Sequence, residues 1–206
     1  MRRMFDAVNW VSIPANAEMV AGYLDGPISK WPAEAWQHFP NAIKVAIVVF
    51  ASTDDGMVLD VENGDATPEE APGWADRRRK AGGDPTVYCS LATWAAVRAA
   101  FIAQGIAEPH YWIADWDGVD ELPAGAVAVQ YRADVAGPDT YDESGVADYW
   151  PGVDNGQTIQ PIPPASALGK PPVAVAAPVQ PAETVAEAWT AMQAAYAALQ
   201  KAVGAA

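Results

Sequence analysis

Asp60 and Glu62 close the run Met57-Val58-Leu59-Asp60-Val61-Glu62-Asn63-Gly64, an apolar segment that ends in two carboxylates and a turn. In an extended strand successive side chains alternate faces, so Val58, Asp60 and Glu62 share one face and Leu59 and Val61 the other. At a rise of about 3.3 Å per residue the two acids stand roughly 6.6 Å apart along the backbone. Paired carboxyls near that separation cleave glycosidic bonds, one as proton donor and the other as base, nucleophile or charge stabiliser. Two solvated acids at a strand end give the same pattern, so its meaning depends on what else the chain brings to that face.

The elements that must position these acids are legible in the first 154 residues. Strand-forming runs cover 4–10, 18–24, 43–51, 57–62, 85–90, 110–116, 126–132 and 141–147. Several are continuous apolar stretches, such as Val45-Ala46-Ile47-Val48-Val49-Phe50, which implies burial on both faces as in a parallel sheet covered by helices. Helical patterns fall at 32–39, 68–81 and 91–104. The last has Ser90 as its cap, an apolar stripe of Leu91, Trp94, Val97 and Phe101, and Gly105 as its stop. Eight strands with interleaved helices predict an α/β fold, a reduced TIM-like (β/α) barrel with few helices, because a regular one needs about 250 residues and eight helices. Between 43 and 62 there is room only for a tight Asp54-Asp55-Gly56 turn.

Composition narrows the function classes. The chain has 206 residues, 51% apolar and 18% charged, with a formal net charge of −14. That charge argues against nucleic acid, whose phosphates require a basic face. The basic run Arg77-Arg78-Arg79-Lys80 ends a helix whose start, Thr67-Pro68-Glu69-Glu70, reads as a capping box, and cations in a last turn complement the helix dipole. Cys89 is the single cysteine and sits in an apolar strand as a small hydrophobe, so no intramolecular disulfide is expected. His38 and His110 lack metal-ligand spacing, and no cofactor is expected. The acidic stretch Asp115-Trp116-Asp117-Gly118-Val119-Asp120-Glu121 lacks the regular ligand ladder of a calcium loop and reads as a solvated turn. No apolar segment follows the N-terminal Met1-Arg2-Arg3, which predicts synthesis in a host cytoplasm without a signal peptide and no membrane association.

Five motifs then occur in order: Phe5-Asp6-Ala7, Asp60-Val61-Glu62, Tyr111-Trp112-Ile113-Ala114, Val129-Gln130-Tyr131 and Tyr141-Asp142-Glu143-Ser144. In order and spacing residues 4 to 150 resemble the family 25 glycoside hydrolases (muramidases) and the related glycoside-hydrolase-like barrels of actinobacteria and their phages. The resemblance implies a peptidoglycan-directed barrel that cleaves between N-acetylmuramic acid and N-acetylglucosamine. It assigns Glu62 as general acid, Asp60 as transition-state support, and Asp6 and Asp142 as the rest of an acidic floor. Trp112, Gln130, Tyr131 and Asp115 would line the sugar site, and the tryptophans beside acids (Trp112 and Trp116) suit stacking on sugar rings.

The remainder of the chain reads as two further parts. Residues 155–182 contain seven prolines among Ala, Val and Gly, the composition of an extended linker. Residues 183–206 open with the capping box Thr184-Val185-Ala186-Glu187 and carry Val185, Trp189, Met192, Tyr196, Leu199 and Val203 at alternating spacings of four and three, a coiled-coil seam. A seam this short needs a partner surface, which predicts self-association or docking to a larger assembly such as a phage particle. Two functions therefore stay open: a virion-associated, peptidoglycan-directed glycosidase, or a non-catalytic phage structural protein whose barrel adheres to cell-wall glycan or serves as a scaffold.

Overall fold

The computed structural model describes residues 1–155, so the linker at 155–182 and the helix at 183–206 lie, but for Asn155, outside the described residues. Eight strands close into a barrel in simple sequential order: β1 (Arg2–Asp6), β2 (Met19–Tyr23), β3 (Ile43–Val48), β4 (Val58–Asp60), β5 (Thr86–Ser90), β6 (His110–Ala114), β7 (Ala128–Arg132) and β8 (Asp142–Val146). Neighbours from β1 through β7 run parallel, whereas β8 is antiparallel to both β7 and β1. Every strand expected from the sequence is present; the first is shifted, starting at Arg2 and ending at Asp6 rather than running from 4 to 10, and the others lie within the expected runs.

Three α-helices accompany the strands among the described residues: α1 (Ala33–His38), α2 (Ala71–Lys80) and α3 (Leu91–Gln104). The Ser90 cap of α3 is formed, its side chain accepting from the Thr93 N–H at 3.2 Å, and Gly105 ends the helix in the left-handed conformation. Val97 and Phe101 are buried as the stripe requires, but Leu91 is 46% exposed. It begins the helix at the rim of the barrel, where no facing element covers it. At α2, Thr67 N–H does bond the Glu70 carboxylate, yet a turn intervenes and the helix runs from Ala71 rather than from 68.

The connection from β3 to β4 makes a parallel crossover without a helix, and its backbone is satisfied by side chains instead. The Asp25 carboxylate accepts from Val49 N–H at 2.7 Å and from the Thr53 hydroxyl at 2.6 Å. From the other side Arg77 reaches the Ala51 carbonyl, and Arg78 reaches the Asp54 and Gly56 carbonyls. Arg79 binds the Ala107 and Glu108 carbonyls, and Lys80 pairs with Asp76. The three arginines of the basic run thus fasten loops, a role beyond the dipole complementarity of their position, while Lys80 stays on its own helix.

The core has an inner and an outer part. Inside the barrel Met4, Met19, Val45, Val58, Ala128 and Val146 pack with Trp112, and Trp150 covers them where the parallel strands begin. The Trp150 indole N–H donates to Thr86 at 2.8 Å, and Asp154 anchors this plug through a two-pronged bond to Arg2 at 2.7 and 2.8 Å. Outside, α2 and α3 cover β4 to β6 through Trp74, Val97 and Phe101, and α1 with the β1–β2 loop covers β1 and β2 through Trp31 and Phe39. Trp31 lies so close over Gly22 that any Cβ there would stand 2.4 Å from its ring. A side chain at that position would displace the indole and with it the α1 flank.

Candidate functional site

At the end opposite the plug the inward positions change character. Asp6 is the last residue of β1 and Asp60 the last of β4, each two residues beyond an apolar inward neighbour, Met4 and Val58. Asp142 opens β8 and stands in register with Asp6. Because β8 runs antiparallel, its first residue meets the last residue of β1, which puts an N-terminal acid among C-terminal ones. Asp60 is in register with Tyr88, and Gln130 follows Ala128 on β7.

Glu62 reaches the same place by another route. β4 ends at Asp60 rather than at 62; Val61 N–H still bonds the Tyr88 carbonyl at 2.9 Å, after which the chain turns, with Asp65 N–H on the Glu62 carbonyl and Gly64 at φ 101°. The conformation at Gly64 is one that residues with a Cβ rarely adopt. Glu62 is carried on this turn and not in the pleat, so the strand spacing of the two acids does not set their separation.

Asp6, Asp60, Glu62 and Asp142 line one open cavity of about 110 Å³ together with Tyr23, Ile47, Tyr88, Trp112, Trp116 and Gln130. That is several times the space one water needs. Gln130, 2% exposed, organises the wall. Its side-chain oxygen accepts from the Tyr88 hydroxyl and from the Trp116 indole N–H, both at 2.8 Å, and its amide nitrogen donates to the two Asp6 oxygens at 3.0 and 3.2 Å. Two donors on the oxygen fix the orientation of the amide, so its N–H must face Asp6. Trp112 forms part of the floor, its indole donating to Ser144 at 3.1 Å and its ring meeting Tyr88 edge-on at 4.8 Å.

Crowded carboxyls in a partly buried cleft hold protons more tightly than carboxyls in water. Burial, with Asp142 and Glu62 adding like charge, pushes Asp6 up to about 8 even though the Gln130 N–H favours its ionised form. Burial, then Glu62, Asp65 and Asp6, pushes Asp60 well above the usual carboxylate range. Glu62 and Asp142 are raised too, burial again being the first cause. Asp60 Oδ1 is buried without any hydrogen-bond partner. Such a cluster can lend a proton, accept one, or receive a positive charge. Among the described residues no group of three or more His, Cys, Asp or Glu side chains is arranged to hold a metal ion.

Of the eight residues singled out from sequence, six meet in this cavity: Asp6, Asp60, Glu62, Asp142, Trp112 and Gln130. Tyr131 and Asp115 are not in its wall. Tyr131 alternates away from Gln130 to the outside of β7, where Glu143 and Arg3 lie nearby and burial with the Glu143 hydrogen bond pushes its hydroxyl up to about 12. Asp115 offers its backbone, its N–H bonding the Gln130 carbonyl at 2.9 Å. Tyr23, Ile47 and Tyr88 were not anticipated in the site. Tyr88 shares an inward face with Thr86, a period-two signal that points to the cavity only once the register with Asp60 is known. No protein-family model, curated protein or solved structure matches the chain.

Proposed function

We propose that this chain is a muramidase-like, peptidoglycan-directed glycosidase, a barrel of the glycoside-hydrolase type carried on a phage particle. The observation that carries the reading is the convergence of Asp6, Asp60, Glu62 and Asp142 with Trp112 and Gln130 at one barrel mouth. Active sites of (β/α) barrels occupy that end. Glu62 is the general acid in this reading, because it stands on a turn beside the open cleft and its carboxyl is raised toward the working range of a proton donor. Asp60 or Asp142 supplies the second carboxyl, and Trp116, 58% exposed at the mouth, offers an apolar face to a sugar ring above the buried Trp112.

A second reading, adhesion to glycan without cleavage by a phage structural protein, draws support from Asp60 itself. A transition-state stabiliser must carry negative charge when the oxocarbenium forms, whereas burial, and after it the charge of Glu62, raises the Asp60 carboxyl and disfavours its charged form. Catalysis then requires the incoming positive charge to offset that disfavour. Release of reducing ends from purified peptidoglycan separates the readings. Glu62→Gln should lower the rate by on the order of 10²–10⁴ without lowering the thermal unfolding temperature, since the swap removes the proton donor and one of the crowded charges but keeps the shape. Equal rates in both proteins would exclude Glu62 as the acid, and no release by either would leave the adhesion reading. The phage association rests on the seam at 185–203, and particle composition after deletion of residues 156–206 tests it.

A further inference from the structure

We propose that the mouth of the barrel binds an ammonium group, and that its ligand is a glycan carrying free amines in place of N-acetyl groups. The glycan half rests on the function proposed above; the ammonium half rests on the cavity alone. Four carboxyls and four aromatic side chains form most of the cavity wall, and no Lys, Arg or His is among its lining residues. Carboxylates answer an ammonium by charge, and the faces of Tyr and Trp rings attract cations through their quadrupoles.

The decisive atom is Asp60 Oδ1. Asp60 is 4% exposed, and this oxygen faces no donor in the protein. The one side-chain amide among the lining residues, that of Gln130, is already given to Asp6. A buried acceptor left without a partner is costly, and a ligand N–H or O–H placed there recovers that cost. A hydroxyl would relieve this oxygen alone. An ammonium relieves it and at the same time offsets the mutual repulsion of Asp6, Asp60, Glu62 and Asp142. An acetamide offers a carbonyl oxygen as well, which carboxylates repel. The charge of −14 on the chain adds a field that draws cations toward the protein.

Binding has a proton signature. A carboxyl that burial pushes up to about 8, as at Asp6, releases its proton to solvent when a positive charge arrives: its COOH becomes COO⁻ near the bound R–NH₃⁺, and the proton leaves to buffer. A neutral sugar gives no such release. The test is calorimetry on the full chain at mildly acidic pH, comparing a glucosamine tetramer with an N-acetylglucosamine tetramer in two buffers of different ionisation heat. The amine tetramer should bind at least about tenfold more tightly, lose that advantage as salt rises, and show buffer-dependent heat. Asp60→Asn should remove most of the preference, while Asp76→Asn, a surface acid on α2, should leave it intact. Equal or tighter binding of the acetylated tetramer overturns the ammonium site and leaves the glycosidase reading standing, as does an equal loss from the two substitutions. If neither tetramer binds, the ammonium site also falls, and reducing-end release from acetylated peptidoglycan then judges the glycosidase reading separately.

Discussion

Along β1, β4 and β7 the inward side chains Met4, Val58 and Ala128 pack in the core that Trp150 seals; two residues further along the same strands they are Asp6, Asp60 and Gln130, buried in the wall of the open cavity. One step of the pleat separates a packed plug from a cluster of carboxyls. The first end is held mainly by close packing, which has no dependence on pH, with the Arg2–Asp154 pair as an ionic anchor. The second is populated by groups whose charged forms burial disfavours, so it stores a cost that the first must offset. In the described barrel the packing that stabilises is therefore concentrated at one end and the crowded carboxyls at the other.

Removing the plug should have the largest effect. Trp150→Ala deletes a fully buried indole and its bond to Thr86. It is expected to cost about 3–5 kcal/mol in chemical denaturation, and a loss below about 1 kcal/mol would mean the plug end does not carry the fold. At the acidic end the sign reverses. Asp6 binds its proton more tightly folded, near pH 8, than unfolded, near 3.8. Its contribution is fully present below the unfolded value and is lost as pH rises toward 8, with a slope approaching about 1.4 kcal/mol per pH unit. Asp6→Asn, whose amide oxygen still accepts from Gln130, should leave stability at pH 4 nearly unchanged and raise it at pH 8. Equal effects at both values, read from thermal melts, would show that Asp6 does not titrate in the folded protein. A smaller test returns to the plug: Asp154→Ala removes the carboxylate that Arg2 grips from two sides, and Arg2 holds that carboxyl below its ordinary value. It should cost about 1–3 kcal/mol at neutral pH and progressively less in acid, where the wild-type carboxyl is itself protonated.

Local signals carried much of this architecture. Eight apolar runs with turn residues between them sufficed to place eight strands, and Ser90 and Gly105 bounded α3 because capping is chemistry within four residues. What the sequence could not convey depended on pairing. The site partners Tyr23 and Tyr88 are ordinary strand aromatics until register sets Asp60 opposite Tyr88. The family resemblance assigns Tyr131 and Asp115 to the sugar site, but Tyr131 alternates with Gln130 and faces away from the cavity, and neither residue lines it. The termination of β4 at Asp60 was hidden because Val61 and Glu62 remain acceptable strand residues, and only Gly64 and the bond from Asp65 to the Glu62 carbonyl redirect the chain.

The reversed direction of β8 also decides where the described barrel can be held. β1 departs from the plugged end and β8 returns to it, so Met1 and Asn155 flank the same pole; the Met1 amino group lies 3.4 Å from Asp148, and Arg2 grips Asp154. A barrel whose last strand ran parallel would deliver the chain beside the acids instead. With both attachment points at the sealed pole, a support grafted to either one leaves the carboxyl-lined mouth facing away from it. The barrel can be displayed on a bead, a sensor chip or a fusion partner without its cleft being covered.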